Sequence, residues 1–328
     1  MSEHGGQLRK AASQYGMPLS DWLDLSTGIN PRHYPIPEIP SRCWLHLPEL
    51  DDGLMSAAYE YYKTQDLLAV SGSQQAIQAL PYLRKKSRIG LLATSYYEHK
   101  AAWKAAGHEV VLLQPDEVEG SIESLDVLLL VNPNNPTCDV FSGERLEGYL
   151  KQLQNRGGWL IVDEAFIDCT SEKSVISFKA RDGLIVLRSL GKFFGLAGCR
   201  VGFVHAVSSL LERMQQAIGP WPIANPSRYV AQCALQNTEW QQETQQFLHK
   251  QSEQLAQILS LIPSSVHRNT ALFHWLKNDD ANELFVGLAE RGILIRQFTE
   301  PKSLRFGLPA TNQECVRLKK ALAEVLNR

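Results

Sequence analysis

Paired cysteines are missing from this 328-residue chain: its six cysteines stand at 43, 138, 169, 199, 233 and 315, with no Cys-x-x-Cys among them. That spacing excludes a disulfide frame or a zinc site, and the residues read as reduced thiols of a cytoplasmic protein. The nine histidines show no metal-ligand spacing either, so no metal is expected. An excess of charge of one sign is also absent. Lys and Arg number 33 against 35 Asp and Glu, a net −2, which gives no reason to expect nucleic acid or an anionic membrane as partner. No apolar run approaches the roughly 20 residues of a membrane span. The start, Met1-Ser2-Glu3-His4-Gly5-Gly6, lacks a basic n-region and an apolar h-region, so no export signal is expected. Repeats and low-complexity linkers are absent.

What is present is an ordinary globular composition, 44% hydrophobic and 21% charged, long enough for one large domain and a smaller one. Short β-rich runs at 67–70, 89–92, 109–113, 127–131, 159–163, 184–187 and 201–204 alternate with helical patterns at 73–83, 97–106, 142–155 and 207–218. Several runs are continuously apolar and do not alternate. Such strands are buried on both faces, so the reading is an α/β fold: a mostly parallel seven-stranded sheet between helix layers. A long helical pattern at 227–261, with a break near Thr238, leads into a small α+β domain. There 273–276, 293–296 and 303–306 read as strands, and 281–291 and 312–326 as helices. The division expected is 1–40 for an N-terminal arm and part of the small domain, 41–240 for the large domain and 241–328 for the small one. The proline-rich stretch 31–48 runs extended along the surface.

Four motifs fall where strands end, which is where open α/β sheets bind ligands. In Ser189-Leu190-Gly191-Lys192-Phe193-Phe194-Gly195, a lysine sits between two glycine turns after an apolar run. A hydroxyl (Ser189) lies three residues before it and a guanidinium (Arg200) eight after. A Schiff-base lysine needs such a setting, and a phosphate-bearing aldehyde cofactor would place its carbonyl on Lys192 and its phosphate on Ser189 and Arg200. Ser71-Gly72-Ser73-Gln74 opens a helix after a strand, an anion site or a plain serine cap. Asp163 closes the most hydrophobic strand, where a protonated ring nitrogen, a helix cap or an arginine could satisfy it. Asn135, between prolines, could donate to a ring oxygen or serve the turn alone. Tyr96 could stack on a flat heterocycle or pack in the core. Other phosphate and nucleophile motifs fail. Phe193 follows Gly191-Lys192, and Val186 stands where a Walker loop needs glycine. There is no Gly-x-Ser-x-Gly.

The ordered set Ser-Gly-Ser, Asn-Pro, Asp-Glu-Ala and Ser-x-x-Lys with arginine eight on resembles the fold-type I pyridoxal-phosphate enzymes, the aspartate aminotransferase superfamily. The likeness spans nearly the whole chain. Within the class I/II branch, three stretches resemble the threonine-phosphate decarboxylase family of cobalamin biosynthesis: His4-Gly5-Gly6, Leu25-Ser26-Thr27-Gly28-Ile29-Asn30-Pro31 and Leu304-Arg305-Phe306-Gly307-Leu308-Pro309. Residues 44–54 point the same way.

The resemblance implies pyridoxal 5′-phosphate as cofactor, carried on Lys192, with its ring nitrogen on Asp163, its O3′ on Asn135 and its ring on Tyr96. It places the cofactor phosphate on Gly72, Ser73, Ser189 and Arg200, and the substrate α-carboxylate on Arg305. Arg305 could otherwise be a solvated strand-end charge. His4 and Arg32, in the N-terminal segments of the likeness, are candidates for a substrate phosphate, with Gly28 beside them; the plainer readings are a loose terminal histidine and a surface arginine. The implied activity is decarboxylation of a phosphorylated amino acid, L-threonine O-3-phosphate, by a homodimer. A histidinol-phosphate-type aminotransferase, or a non-catalytic module keeping the fold, are the alternatives. The chain departs from the family pattern at Phe166, where a tyrosine is frequent, at Gly191 in place of a hydroxyl, at Cys138 in place of glycine, and at Leu47 where relatives put a tyrosine reaching the partner subunit.

Overall fold

The computed structural model describes residues 4–264 and 266–327; Met1, Ser2 and Glu3, part of the N-terminal arm expected from the sequence, lie outside them. Contacts divide the chain into two units. Met1–Arg32, Pro136–Cys138 and Gln241–Arg328 form one, and His33–Asn135 with Asp139–Trp240 form the other.

In the second unit the apolar runs become β1 (Leu67–Val70), β2 (Arg88–Leu92), β3 (Glu109–Leu113), β4 (Val127–Val131), β5 (Trp159–Asp163), β6 (Leu184–Ser189) and β7 (Gly202–His205). They build one seven-stranded sheet in the order β1-β7-β6-β5-β4-β2-β3. Only β7 is reversed, pairing antiparallel with β1 and β6, while the other pairs are parallel. Every residue of β4 and β6 is buried, as strands covered on both faces require. The pleat sorts their side chains. Val127, Leu129, Ile161, Ile185 and Leu187 share a core with Ile77, Leu80, Trp103 and Met214. Leu128, Leu130, Leu160, Val162, Leu184 and Val186 alternate onto the opposite face, where the helix Gly143–Gln154 packs on β5.

In the first unit β8 (Val266–Asn269), β9 (Phe273–Lys277), β10 (Arg296–Thr299) and β11 (Lys302–Gly307) form an antiparallel sheet in the order β10-β11-β9-β8. A short parallel pair, Leu23–Asp24 with Ile293–Leu294, lies beside the helix Leu8–Tyr15. The helices Ala281–Ala289 and Asn312–Leu326 complete it.

Local differences from the sequence reading have local causes. The helix expected over 73–83 runs only Gly72–Ala79 before a tighter turn, because Pro81 has no N–H to continue it. The long helical pattern breaks at Asn237, whose Oδ1 accepts from Trp240 N at 3.0 Å and so caps the helix Thr238–Leu259. The strand expected over 293–296 divides at Ile295 between two sheets. Val266–Asn269 was not expected at all, since this edge strand is largely solvent-facing and carries no apolar pattern. Among the described residues no helix is long and apolar enough to cross a membrane. No group of three or more His, Cys, Asp or Glu there could hold a metal ion.

One buried pair gives the first unit a pH response. His274 is fully buried, with Nε2 2.9 Å from Ser252 Oγ and Nδ1 2.9 Å from His267 Nε2. Burial, reinforced by His267, pulls His274 down to about 3. The unfolded chain, with histidine near 6.5, therefore takes up a proton the folded chain refuses; this stabilisation is complete above about pH 6.5 and is lost as pH falls toward 3. Unfolding stability should drop by about 2 kcal/mol between pH 7 and 5 from this group. His274→Gln, which stays neutral, should flatten that part of the profile in urea titrations. Parallel profiles for both proteins would show that His274 does not carry it.

Candidate active site

The carboxyl ends of β1, β2, β4, β5 and β6 open onto one edge of the sheet, and the expected cofactor residues of the larger unit stand there. Asp163 ends β5 on the same face as Ile161, and Ser189 ends β6 on the same face as Leu187. The two strands are in register there, Asp163 opposite Leu187.

Asp163 is buried at 3% exposed, and its partner is neither a helix amide alone nor an arginine. His99 Nε2 lies 2.9 Å from Oδ2, while Ala165 N–H donates to Oδ1 at 3.1 Å. His99 comes from the helix Tyr97–Ala105 that follows Tyr96, and its ring meets the Tyr96 ring edge-on at 6.0 Å between centres. Tyr96 is half-buried and its hydroxyl donates to Gln74 Oε1 at 3.3 Å. Burial, with the charges of Glu98 and Asp163, pushes Tyr96 up to about 12, so its ring is a neutral phenol. Gln74 also donates to Glu98 at 3.1 Å, tying the first turn of Gly72–Ala79 to the Tyr96 loop. Asn134 holds the next loop: it donates to Thr94 O and accepts from Ser95 Oγ, both at 2.8 Å, which fixes Asn135 next to it.

A second cluster of the candidate residues forms around Gly202. Its register partners are Val70 on β1 and Ser189 on β6. A side chain at Gly202 would strike Ser73 N at 2.7 Å, so glycine is what lets the start of the Gly72 helix approach β7. Gly72 has φ +67°, and a Cβ there would sit 2.6 Å from Arg200 Nη2. The guanidinium thus lies against the helix start, where N–H groups lack intrahelical partners. Ser189 Oγ accepts from Gly191 N at 3.2 Å. Half-buried Lys192 turns its Nζ toward the face of Phe166, 5.3 Å from the ring centre.

These groups fit pyridoxal 5′-phosphate one by one. Arg200, two hydroxyls and a glycine-cleared helix start suit a phosphate. A primary amine suits an aldehyde, a buried carboxylate suits a ring N–H, and an aromatic face suits a flat ring.

The other candidates belong to the smaller unit. Arg305 on β11 is 7% exposed, which rules out a solvated strand-end charge. Its Nη2 donates to Ser26 O at 2.6 Å, and its guanidinium carbon lies 5.4 Å from the Phe273 ring centre. Burial, with Arg296 directly across the β10–β11 ladder, pulls Arg305 down to about 10, so it stays cationic at neutral pH. Two facing arginines, one of them out of water, favour an anion between or beside them. The three stretches that carry the decarboxylase likeness meet here. Gly307 N donates to Leu25 O at 2.7 Å, and Gly6 N donates to Ser26 Oγ at 2.7 Å. A Cβ on Gly5 would collide with Ser26 O, and one on Gly307 with Thr27 O. Gly28 is buried in the same loop. His4, Lys10, Ser26 and Arg296 line a cavity of about 330 Å³. Arg32 does not line it; its guanidinium lies on the surface, 3.3 Å from Glu243. His99, Lys10 and Arg296 escaped the sequence reading.

The family model for aminotransferase class I and II matches residues 46–322. The chain belongs to that family. Among its members it is 49% identical over 322 residues to threonine-phosphate decarboxylase of Pseudomonas aeruginosa, covering 98% of this chain and 97% of that protein. It is 35% identical over 332 residues to threonine-phosphate decarboxylase of a Sinorhizobium species, covering 98% of each. Its fold is similar to the crystal structure of histidinol-phosphate aminotransferase from Sinorhizobium meliloti in complex with pyridoxal-5′-phosphate: TM-score 0.87, 17% identity, 97% of this chain and 94% of that one. The doubly covered sheet and the smaller α+β unit are those of this aminotransferase fold.

His99→Leu takes the ring away from Asp163 Oδ2 and should cost about 1–3 kcal/mol in the cofactor-free protein, read as a lower urea midpoint. An unchanged midpoint would mean that Asp163 is satisfied without the imidazole.

Proposed function

We propose that the protein decarboxylates L-threonine O-3-phosphate to (R)-1-aminopropan-2-yl phosphate, with pyridoxal 5′-phosphate as cofactor. The observation that carries this reading is the meeting of His4-Gly5-Gly6, the Leu25 to Gly28 loop and β11 on one buried arginine. The full-length identity to threonine-phosphate decarboxylases supports it.

In this reading Lys192 Nζ holds the cofactor aldehyde, Gly72, Ser73, Ser189 and Arg200 its phosphate, Asn135 its ring oxygen and Tyr96 one ring face. When bound, the cofactor supplies an electron sink for the pair released by bond cleavage at Cα. Asp163, kept oriented by His99, holds a proton on the ring nitrogen, which a buried carboxylate does well and a neutral amide does not. Arg305, already pinned at Nη2 to Ser26 O, presents a rigid guanidinium to the substrate α-carboxylate. His4, with Lys10 and Arg296 from the same cavity, takes the side-chain phosphate. Arg32, engaged with Glu243, is not required by this arrangement. Two separated anion sites fix rotation about Cα, so that the bond to the carboxylate is the one presented for cleavage. Lys192 Nζ, released from the aldehyde when the substrate amine takes its place, or water would then return a proton to Cα.

The homodimer belongs to the same reading. Trp44, Leu45, Leu47 and Leu50 are 67%, 76%, 63% and 73% exposed along one short segment, an apolar strip that a second copy of the chain would cover. Sedimentation should give a dimer in the micromolar range, and Leu45→Asp with Leu50→Asp should shift it toward monomer. A wild-type protein that sediments as a monomer and keeps full turnover would contradict this.

The product assay is decisive. L-Threonine O-3-phosphate should yield CO2 and 1-aminopropan-2-yl phosphate without a keto acid, and Lys192→Ala should yield neither. Free threonine keeps one anion anchor, and the loss of charge-assisted contacts should lower kcat/KM on the order of a hundredfold or more. Arg305→Ala should lose a similar factor with the phosphorylated substrate. Glutamate formation from 2-oxoglutarate exchange, with no CO2, would make the protein an aminotransferase.

A further inference from the structure

Directly behind the site lies a second set of charges with no task in that scheme. Arg188 is 1% exposed, and its guanidinium bridges two buried carboxylates. Nη1 donates to Glu164 Oε2 at 3.2 Å and Nη2 to Asp168 Oδ1 at 2.5 Å. Glu164 also accepts from the Ser174 hydroxyl, and from Val175 N–H at 2.8 Å. Asp168 accepts from the Tyr61 hydroxyl at 2.9 Å, and the Tyr62 ring centre lies 4.8 Å from the guanidinium carbon.

A buried ion cluster is a weak source of stability. Desolvation cancels most of the attraction, and apolar residues of the same volume often serve as well or better. The placement of this one points elsewhere. Neighbouring residues on a strand face opposite sides of the sheet. Glu164 follows Asp163 at the end of β5, and Arg188 precedes Ser189 at the end of β6. The two strands remain joined there, with Glu164 N donating to Leu187 O at 2.9 Å. Asp163 and Ser189 each have, one peptide unit away, a side chain locked into the cluster behind them. Asp168 extends the grip across the turn that carries Phe166, whose ring faces Lys192 Nζ. Tyr61 closes the circuit: with its hydroxyl on Asp168, its ring packs 5.7 Å from that of Phe194, two residues past Lys192.

We propose that Arg188, with Glu164 and Asp168, is a positioning clamp that holds Asp163, Phe166 and the Ser189–Lys192 loop at the spacing pyridoxal 5′-phosphate requires. Arg188 touches neither cofactor nor substrate; it acts through the backbone beside residues that do. Arginine suits the role and lysine does not, because the two prongs of a planar fork reach two different carboxylates. The inference rests on the cofactor assignment above.

The test reads cofactor binding, not turnover. Cofactor-free wild type, Arg188→Lys, Glu164→Gln and a core control from the smaller unit, Leu318→Ala, are titrated with pyridoxal 5′-phosphate, and their urea midpoints are recorded. Kd should rise about tenfold or more in Arg188→Lys and in Glu164→Gln, as when supporting contacts of a bound group are lost. The Leu318→Ala control should lose stability yet bind as wild type does. A Kd within about twofold of wild type in Arg188→Lys overturns the clamp. An equal rise in the control does so too, since the effect would then be general destabilisation. If Arg188→Lys does not fold, the Kd of Glu164→Gln decides on the same criterion. Wild type that binds no pyridoxal 5′-phosphate would overturn the cofactor assignment itself, a separate result.

Discussion

A carboxylate that ends an apolar strand needs a matched partner, and much of the site follows from how Asp163 is matched. An ionised carboxyl group buried without hydrogen bonds is costly enough that it would take up a proton instead. The imidazole of His99 at 2.9 Å and the Ala165 N–H at 3.1 Å supply two contacts and leave the group oriented. That pairing requires the helix Tyr97–Ala105 to start where it does, which places Tyr96 at the rim and sets its ring edge-on to His99. Through Gln74 the Tyr96 loop is tied to the helix beginning at Gly72. One buried carboxyl group thus fixes the relation between the Asp163 end and the Gly72 end of the site.

The candidate arginines of the two units are set differently. Arg200 sits at the surface edge of a helix start, beside backbone amides that lack intrahelical partners. Arg305 is out of water, opposed by Arg296 and braced by a carbonyl oxygen. A desolvated, pre-oriented guanidinium discriminates planar anions more sharply than a solvated one, because the water it would otherwise have to shed is already gone. The glycines of His4-Gly5-Gly6 and β11 serve that bracing: a Cβ at Gly5 or Gly307 would collide with the Ser26 to Thr27 backbone.

Legibility followed apolar continuity. β1, β3, β4 and β5 occupy the runs read from the sequence, because a continuous apolar stretch ended by a polar or turn residue has few alternatives. Val266–Asn269 was invisible for the opposite reason: its strand character comes from pairing with β9, not from its own side chains. The break at Ile295 was equally hidden, since two sheets compete for one apolar run. That Lys192, Asp163, Ser189 and Arg200 gather at one edge of the sheet could be read, because their spacing lies within the sequence. His99 could have been found as the residue one helical turn beyond Tyr96. Arg296 closes an apolar run as Asp163 does, a signal that was there to use. The Arg188 bridge to Glu164 and Asp168 depends on which strands are neighbours, and spacing along the chain does not carry that.

The central claim is that the carboxyl edge of the seven-stranded sheet holds pyridoxal 5′-phosphate through one amine. Borohydride reduction of the cofactor-loaded protein, followed by peptide mapping, tests it most directly. The account predicts a single pyridoxyl adduct, on the peptide carrying Lys192, and none at the chain's other lysines. An adduct on a different lysine, or no adduct at all, would contradict it.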